Sequence, residues 1–328
     1  MAVSSCLPLG IMANDSKNTR KIPIVCPGHT RPLAELQFCY IAPEQRTFLV
    51  SACHDRLPML RDGTSGDWIG TFVGHKGAVW SCRMDPSGSL AATASGDFSV
   101  HVWDAITGKD LFQLPHKHIV KTCDFSPNSK YLATGGHEGI LRIYDLTQPE
   151  QAPITIPQDP SKKITITKCN WLSEDLLIVG CGDGKIRFWQ PLAQGGPATV
   201  PVHTMSTEGT SEIRDMEVSR TTAGQDVLTV AAGERVYFFD LQTRTCLKSY
   251  KMPIHFREEG GASLHPSGNK FVAGGSDLWV RVFDYQTGEE LELNKGHHGP
   301  IRCIRYSPTG ESYATGSEDG TIRLWKTD

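Results

Sequence analysis

Short runs in which apolar and polar residues alternate recur along the chain, and turns rich in Gly, Asp, Pro and Ser separate them. Residues 74–114 show one such unit clearly. Val79, Cys82 and Met84 mark an extended segment, and the Asp-Pro-Ser-Gly sequence that follows is a strong turn signal. Because alternation with period two predicts half-buried β-strands, the evenly spaced turns predict four short antiparallel strands in each unit.

The unit repeats with a period near forty residues, and most copies end a strand on an aromatic residue. These residues lie 41 to 50 positions apart and are Trp103, Tyr144, Trp189, Phe239 in a weaker copy, Phe283 and Trp325. A first copy opens at a Gly-His pair, residues 28–29, and carries Arg61 in the aromatic position. A period near forty that closes on Trp-Asp is the signature of the WD repeat. We therefore predict an all-β fold, a seven-bladed WD40 β-propeller over residues 21–328, with residues 1–20 as a flexible N-terminal extension.

The last repeat lacks a fourth strand, because its third strand ends at Trp325, three residues before the end of the sequence. Residues 22–26, before the first Gly-His pair, form an extended apolar run. We expect this N-terminal segment to pair with the strand that ends at Trp325. Such pairing closes the propeller and removes an open sheet edge.

Two repeats carry a matching set of four hydrogen-bonding residues, which we call the tetrads. In each set an Asp lies six residues before the Trp and a Ser lies eight before it. Trp donates, Asp accepts, and Ser and His do either, so the four side chains can form one buried chain that stiffens the sheet. The predicted members are His75, Ser95, Asp97 and Trp103 in the second unit, and His297, Ser317, Asp319 and Trp325 in the seventh.

Composition narrows the class of protein further. A net charge of −3 argues against a general polyanion-binding domain, since such domains are usually strongly basic. Ten cysteines without a Cys-x-x-Cys pair favour a reducing compartment and give no support to a zinc ribbon. No apolar run reaches the ~18 residues of a membrane span, and the N-terminus is a poor signal peptide. We expect a soluble, intracellular protein.

Apparent catalytic and metal-binding motifs have a structural explanation in the repeat. The glycine-rich stretch 180–184 resembles a phosphate-binding loop, but no helix pattern follows it, so it reads as a strand-to-strand turn. His116 with His118, and His297 with His298, could suggest a metal site, yet one His of each pair opens a repeat and no further ligand cluster is visible. We predict no enzyme activity, no cofactor and no metal ion.

The loops that carry the Gly-His pairs and the turns that carry the tetrad Asp are expected to share one face of the propeller. Loops on a rigid scaffold often carry recognition, and aromatic and Arg side chains are favoured anchors. We predict a protein-binding face there. Its candidate residues are Arg31, His54, Lys76, Phe98, Lys117, His118, His137, Trp279 and Arg302.

Several longer segments resemble one family of WD-repeat proteins, the serine/threonine kinase receptor-associated proteins, also called Unr-interacting proteins. The similar segments lie within 26–80, 116–126, 140–146 and 287–325, and include the phrase MLRDGTSGDW of the first repeat. The resemblance covers about residues 26 to 325 and is weak across 150–250.

This resemblance implies a seven-bladed cytoplasmic scaffold with Gemin-like protein partners. It implies a subunit of the survival-of-motor-neuron complex that assists spliceosomal ribonucleoprotein assembly, and therefore mRNA splicing and processing. The family also binds an RNA-binding cold-shock protein, and in animals it is linked to transforming-growth-factor-β receptor signalling. This sequence has a longer N-terminus and lacks an acidic C-terminal tail, so we expect the ribonucleoprotein role rather than the receptor role.

Two other functions stay open at this point. The WD-repeat subunit of translation initiation factor three shares a segment similar to GHKGAVW (74–80). The other alternative is direct RNA binding through the lysines and histidines of the predicted face. We expect a cytoplasmic protein, with the nucleus as an additional location.

Overall fold

Seven small antiparallel sheets form a β-propeller in the part of the chain that the computed structural model describes, residues 21–41, 45–159, 161–193, 200–256 and 260–327. The first strand of each sheet contacts the first strand of the next, and that of the seventh contacts that of the first. This arrangement confirms the predicted seven-bladed fold. Residues 1–20, the predicted extension, lie outside the described residues, so that prediction stays untested.

The strands follow one another in chain order within the first four blades, after a short strand β1 (Ile24–Cys26). Blade 1 contains β2 (Leu33–Ile41), β3 (Arg46–Cys53), β4 (Met59–Asp62) and β5 (Trp68–Thr71). Blade 2 contains β6 (Val79–Met84), β7 (Leu90–Ser95), β8 (Ser99–Asp104) and β9 (Asp110–Pro115). Blade 3 contains β10 (Val120–Phe125), β11 (Tyr131–Gly136), β12 (Ile140–Asp145) and β13 (Ile154–Pro157). Blade 4 contains β14 (Ile166–Trp171), β15 (Leu177–Cys181), β16 (Lys185–Trp189) and β17 (His203–Ser206).

The last three blades include the two departures from this pattern. Blade 5 contains β18 (Ile213–Arg220), β19 (Asp226–Asp240) and β20 (Thr245–Phe256). Blade 6 contains β21 (Gly261–Leu264), β22 (Lys270–Gly274), β23 (Trp279–Asp284) and β24 (Glu290–Lys295). Blade 7 contains β25 (Ile301–Tyr306), β26 (Ser312–Ser317) and β27 (Ile322–Lys326), and β1 completes it.

Pairing of β1 with β27 closes the propeller as predicted. Ile24 lies opposite Leu324, and Cys26 lies opposite Ile322, in antiparallel register. Cys26 is 2% exposed and packs in one apolar cluster with Leu324 and with residues of blade 1. The closing strand therefore satisfies the backbone edge of β27 and also joins the core between the last blade and the first.

Blade 5 lacks the usual turn between its second and third strands. The first part of β19 pairs with β18 and its second part pairs with β20. Gly233, at the junction of the two parts, has a φ of 61°, which only glycine adopts without strain. This compact junction replaces the longer turn that carries the tetrad Asp in other blades, which agrees with the eroded sequence of the fifth repeat.

Apolar side chains fill the spaces between neighbouring blades, and the cysteines of the inner strands belong to this packing. Cys82, Cys123 and Cys169 are fully buried at one repeat position. Burial raises the pKa of the Cys123 thiol to about 12 and holds the pKa of the other two thiols well above the usual value. These thiols are neutral at physiological pH and act as small core residues.

Hydrogen bonds also join several inner strands to the next across the blade boundaries. The Thr122 hydroxyl accepts from the backbone N–H of Cys169 at 3.1 Å, and the Ser263 hydroxyl accepts from the N–H of Tyr306 at 2.8 Å. Asp124 Oδ2 accepts from the N–H of Trp171 at 2.8 Å. Because the inner strands form no ladder with one another, these side chains satisfy backbone groups that face the next blade.

Candidate partner-binding face

The tetrad of blade 2 joins β7 and β8 to the Gly-His loop through one buried hydroxyl. His75 Nδ1 lies 2.8 Å from Asp97 Oδ2, and His75 Nε2 lies 2.7 Å from the Oγ1 of Thr93. Trp103 Nε1 donates to the same Thr93 Oγ1 at 2.8 Å. The linking hydroxyl is therefore Thr93, and the predicted assignment of Ser95 to this position was wrong.

Blade 7 has the same arrangement. His297 lies 3.1 Å from Asp319 and 2.7 Å from Thr315 Oγ1, which accepts from Trp325 Nε1 at 2.9 Å. Thr315 thus takes the place that the sequence assigned to Ser317.

Both predicted serines stabilise the adjacent turn instead. Ser95 Oγ donates to the Ala78 carbonyl at 3.0 Å and accepts from the Asp97 N–H at 3.2 Å. Ser317 Oγ does the same with the Gly299 carbonyl and the Asp319 N–H. Residues two apart on a strand face the same side, so both side chains are oriented alike. The serine lies at the end of the strand and reaches only the turn, whereas the threonine lies further inside the sheet, beneath the His.

Blades 1 and 4 keep parts of this chain, and blade 5 has lost it. In blade 1, His29 lies between Asp55 at 2.9 Å and Ser51 Oγ at 2.8 Å, and Arg61 donates to the Gly66 carbonyl at 3.1 Å where other blades have an aromatic residue. In blade 4, Gln158 accepts from Trp189 Nε1 at 3.2 Å. In blade 5 the strand register puts Val230 at the position of Thr93, so this blade has no linking hydroxyl.

The tetrad carboxylates stay ionised. Burial raises the pKa of Asp55, but the His29 ring and backbone N–H donors outweigh burial and lower this pKa to about 2. The same causes hold the pKa of Asp97 and Asp319 far below the usual range. Each carboxylate therefore fixes its histidine and the following loop by charge-assisted hydrogen bonds.

Two groups among the described residues bring metal-ligand atoms within 4.8 Å of one another, and both belong to tetrads. They are His29, Cys53 and Asp55, and His75, Asp97 and His101. In each group the tetrad histidine already contacts an Asp and a hydroxyl through its two ring nitrogens. Such a histidine has no lone pair left for a metal ion unless a hydrogen bond is broken.

The Gly-His loops and the Asp turns lie on one face of the propeller, which we call the loop face. Three predicted residues form a continuous aromatic row there. Phe98 lies 5.5 Å from His118, and His118 stacks on His137 with ring centroids 5.4 Å apart and an interplanar angle of 6°. Phe98 is 44% exposed and has a φ of 68°, a strained conformation for a residue other than glycine. Blades 2 and 3 thus present a rigid aromatic surface.

A second cluster lies beside this row, around an aromatic residue that the sequence reasoning missed. His54 contacts Trp80 with ring centroids 4.3 Å apart, and the Lys121 ammonium lies 3.0 Å from the Trp80 ring centroid. Burial, together with the charges of Arg302 and Lys121, lowers the pKa of His54 to about 4. His54 is therefore neutral, and the cluster's positive charge comes from Lys121.

The remaining predicted residues lie further apart. Arg302 donates to Glu318 Oε1 at 2.6 Å, and Trp279 lies in blade 6 with Lys295 4.5 Å from its ring centroid. Arg31, Lys76 and Lys117 are exposed around the rim. The structure thus brings His54, Phe98, His118 and His137 into two neighbouring clusters, and it leaves Trp279 away from both.

One sequence signal could have identified Trp80 and Lys121. They occupy one repeat position, two residues before the core cysteine, which in other repeats is held by Thr167, Arg214 and Arg302. This position surrounds the mouth of the central channel on the loop face, where a cavity of about 50 Å³ is lined by Ala34, Trp80, Lys121, Thr167 and Arg214 among others.

The part of the chain that the structure describes contains no helix that could span a membrane.

Comparison with known proteins agrees with this architecture. The family model "WD domain, G-beta repeat" matches residues 66–104, 108–145 and 288–326, so the chain is a WD-repeat β-propeller protein. It is 45% identical to the human serine-threonine kinase receptor-associated protein over 310 residues, 94% of this chain and 83% of the human protein. It is also 45% identical to the protein of that name from Dictyostelium discoideum over 306 residues, 93% of this chain and 98% of that one. The chain belongs to the family of serine-threonine kinase receptor-associated proteins.

A second family is more distant. The eukaryotic translation initiation factor 3 subunit I of Drosophila willistoni is 30% identical over 327 residues, 92% of this chain and 96% of that protein.

Proposed function

We propose that this WD-repeat protein is a non-catalytic scaffold that binds a protein partner on its loop face. The observation that carries the proposal is the pair of aromatic clusters, one of Phe98, His118 and His137 and one of His54, Trp80 and Lys121. Rigid aromatic side chains beside fixed positive charges are typical anchors of protein interfaces. The tetrad His and Asp side chains beneath them are already hydrogen-bonded, which favours a structural role for these residues.

The proposed setting is a cytoplasmic complex of the survival-of-motor-neuron type that assembles spliceosomal ribonucleoproteins, with Gemin-like subunits as direct partners. The chain's 45% identity to members of the kinase receptor-associated family supports this setting, because the resemblance to that family is what suggested a role in ribonucleoprotein assembly. An RNA-binding cold-shock protein is a further proposed partner.

The test is purification of tagged protein from its native cell, with wild type compared with a loop-face variant. We expect Lys76→Glu together with Lys117→Glu to reduce the recovered partner several-fold. Lys117 is exposed and directly precedes His118, and Lys76 is exposed with its backbone N–H bonded to Asp97, the neighbour of Phe98. Lys109→Glu with Lys130→Glu makes the same charge change in exposed turns of the opposite face and is the matched control. Full recovery with the loop-face variant, at unchanged melting temperature, would contradict the proposal.

The co-purified proteins also separate the alternatives. Gemin-like subunits support the ribonucleoprotein-assembly role, whereas initiation-factor subunits would select the role suggested by the name of the 30% identical relative. Kinase receptors would select the role suggested by the name of the 45% identical relatives.

Direct RNA binding is a second candidate, and one observation favours it. Lys121 lies over Trp80 at the channel mouth, and bases stack on aromatic rings beside cations in many single-strand binding sites. RNA affinity that falls steeply with salt would support this candidate, since phosphate contacts release counterions. Affinity independent of salt would exclude it.

A further inference from the structure

Charged side chains of the inner strands cross the central channel in two layers. The upper layer, nearer the loop face, comes from the third residue of β2, β14 and β18 and contains Glu35, Lys168 and Asp215. The lower layer comes from the fifth residue of β6, β10, β14, β18 and β25 and contains Arg83, Asp124, Asn170, Glu217 and Arg305.

The two upper carboxylates are fully partnered. Glu35 Oε1 lies 3.0 Å from Arg83 Nη2 and also accepts from Lys168, and its Oε2 accepts from the Ser81 hydroxyl at 2.5 Å. Burial raises the pKa of Glu35, but Arg83 and Lys168 outweigh burial and hold it at about 2. Asp215 accepts two hydrogen bonds from Arg305, each 2.6 Å long.

The two lower carboxylates have only secondary contacts with the same cations. Asp124 Oδ1 lies 3.5 Å from Arg83 Nε, and Glu217 Oε1 lies 3.6 Å from Arg305 Nε. In the two layers, as far as the structure describes them, four carboxylates thus share three cations. Arg220 lies outside both layers and lines the cavity below them; its side chain is 76% exposed, and its Nε lies 3.8 Å from Asp226 Oδ1.

Two acceptor atoms in the lower layer are buried without a hydrogen-bond partner. They are Glu217 Oε2 and Asn170 Oδ1. Buried polar atoms in native proteins are nearly all satisfied, so two unsatisfied acceptors at neighbouring positions require an explanation. Both residues line a cavity from which a donor of a bound group can reach them.

A cavity lies directly below these acceptors. It has a volume of about 470 Å³, and Asp124, Asn170 and Glu217 line it together with apolar side chains such as Phe38. Arg83 and Arg305, which are already paired with the upper carboxylates, and the exposed Arg220 also line it. It occupies the end of the channel opposite the loop face, because its lining residues lie at the ends of the inner strands. Its size falls within the ~300–1,000 Å³ of typical ligand pockets, which combine apolar walls with a few convergent polar groups.

We propose that this channel mouth binds the guanidinium group of an arginine side chain presented by a partner protein. The group carries one positive charge, which matches the one-carboxylate excess of the channel. It has five donors and no acceptor in a planar fork, and the three acceptors of Asp124, Asn170 and Glu217 lie on successive blades. The arginine's methylene chain lies against the apolar wall.

The pKa shifts of the two lower carboxyl groups agree with this geometry. Burial raises the pKa of Asp124 to about 6 and the pKa of Glu217 to about 7, although Arg83 and Arg305 act against it. A bound guanidinium lowers both pKa values, because a nearby positive charge favours the ionised form of each carboxyl group. The site is distinct from the loop face and does not depend on the function proposed for that face.

The test uses the full chain with ¹⁵N-labelled tryptophan indoles and the peptide acetyl-Gly-Arg-Gly-amide. Trp171 lines the cavity and Trp80 lies at the other end of the channel, so their indole resonances report on the two ends. We expect a saturable shift of the Trp171 resonance and none of the Trp80 resonance. The matched peptide with citrulline, which has the same shape without the charge, should give no shift.

Variants complete the test. Glu217→Gln keeps the side-chain shape and should weaken arginine binding at least tenfold without lowering the melting temperature, and Asp124→Asn is the second such variant. Glu318→Gln, on the loop face, should leave binding unchanged. Equal shifts with the citrulline peptide, tighter binding of a lysine peptide, or full binding by both channel variants would each overturn the proposal.

Discussion

The Thr93 hydroxyl lies 2.8 Å from the Trp103 indole nitrogen and also contacts His75, so it links β7 to β8 and to the Gly-His loop of blade 2. Replacement of Thr93 by Val keeps the shape and removes both hydrogen bonds. We expect a loss of about 1–3 kcal/mol in the free energy of unfolding, because the buried indole and imidazole nitrogens lose their partner. Chemical denaturation measures it.

The contrast with the neighbouring serine decides whether the linking residue is assigned correctly. Thr93→Ser keeps the hydroxyl and should retain most of the stability, whereas Ser95→Ala removes only the turn contacts. A larger loss for Ser95→Ala than for Thr93→Val would restore the original prediction.

Removal of the closing strand should destabilise the whole propeller. Deletion of residues 1–27 removes β1 and exposes the edge of β27, together with the apolar cluster that contains Cys26. We expect a sharp fall in the melting temperature, measured by circular dichroism. Deletion of residues 1–20 alone should leave it unchanged, and an unchanged value for the longer deletion would contradict the role of β1.

Glu217 gives the stability a distinct pH dependence. Its folded-state pKa is raised to about 7, above the ~4.3 of an unfolded glutamate. Since the folded state binds the proton more tightly, this residue's contribution is fully present below about pH 4.3 and is lost as the pH rises through about 7.

Glu217→Gln removes this pH dependence, because the glutamine is neutral at every pH, and so it supplies the measurement. The melting temperature of the variant relative to wild type should increase between pH 5 and pH 8. A difference that stays constant over this range would mean that Glu217 is ionised at both ends of it.

Gly261 leaves the space that Asp215 needs. A Cβ atom at this position would lie less than 3.0 Å from Asp215 Oδ2, the atom that accepts from Arg305. We expect Gly261→Ala to disturb this buried ion pair and to destabilise the protein by about 3–5 kcal/mol, the usual cost when one partner of such a pair is lost.

Gly70 provides the control, because a Cβ there has no neighbouring atom within 4 Å. Gly70→Ala should change the free energy of unfolding little. Similar, small effects of both substitutions would show that Asp215 adjusts without loss of its contact.

The number of blades and the closing strand were predictable, because turn spacing and strand alternation are local and a missing fourth strand leaves an edge that must be paired. The linking hydroxyl was mispredicted because Thr93 and Ser95 face the same side of β7. They differ only in their distance from the end of the strand, and the sequence pattern does not show which of them reaches the histidine.

The contact between Glu35 and Lys168 joins residues 133 positions apart and depends on the diameter of the channel. No local pattern specifies that distance, so neither the channel layers nor the pairing of Lys121 with Trp80 could be read from the repeat.

The pairing of β1 with β27 has a consequence for synthesis. Ile24 and its partner Leu324 are 300 positions apart, so β1 is synthesised long before the strand with which it pairs. The seventh sheet therefore cannot be completed until all seven repeats have been made, and β1 has no backbone partner during that time.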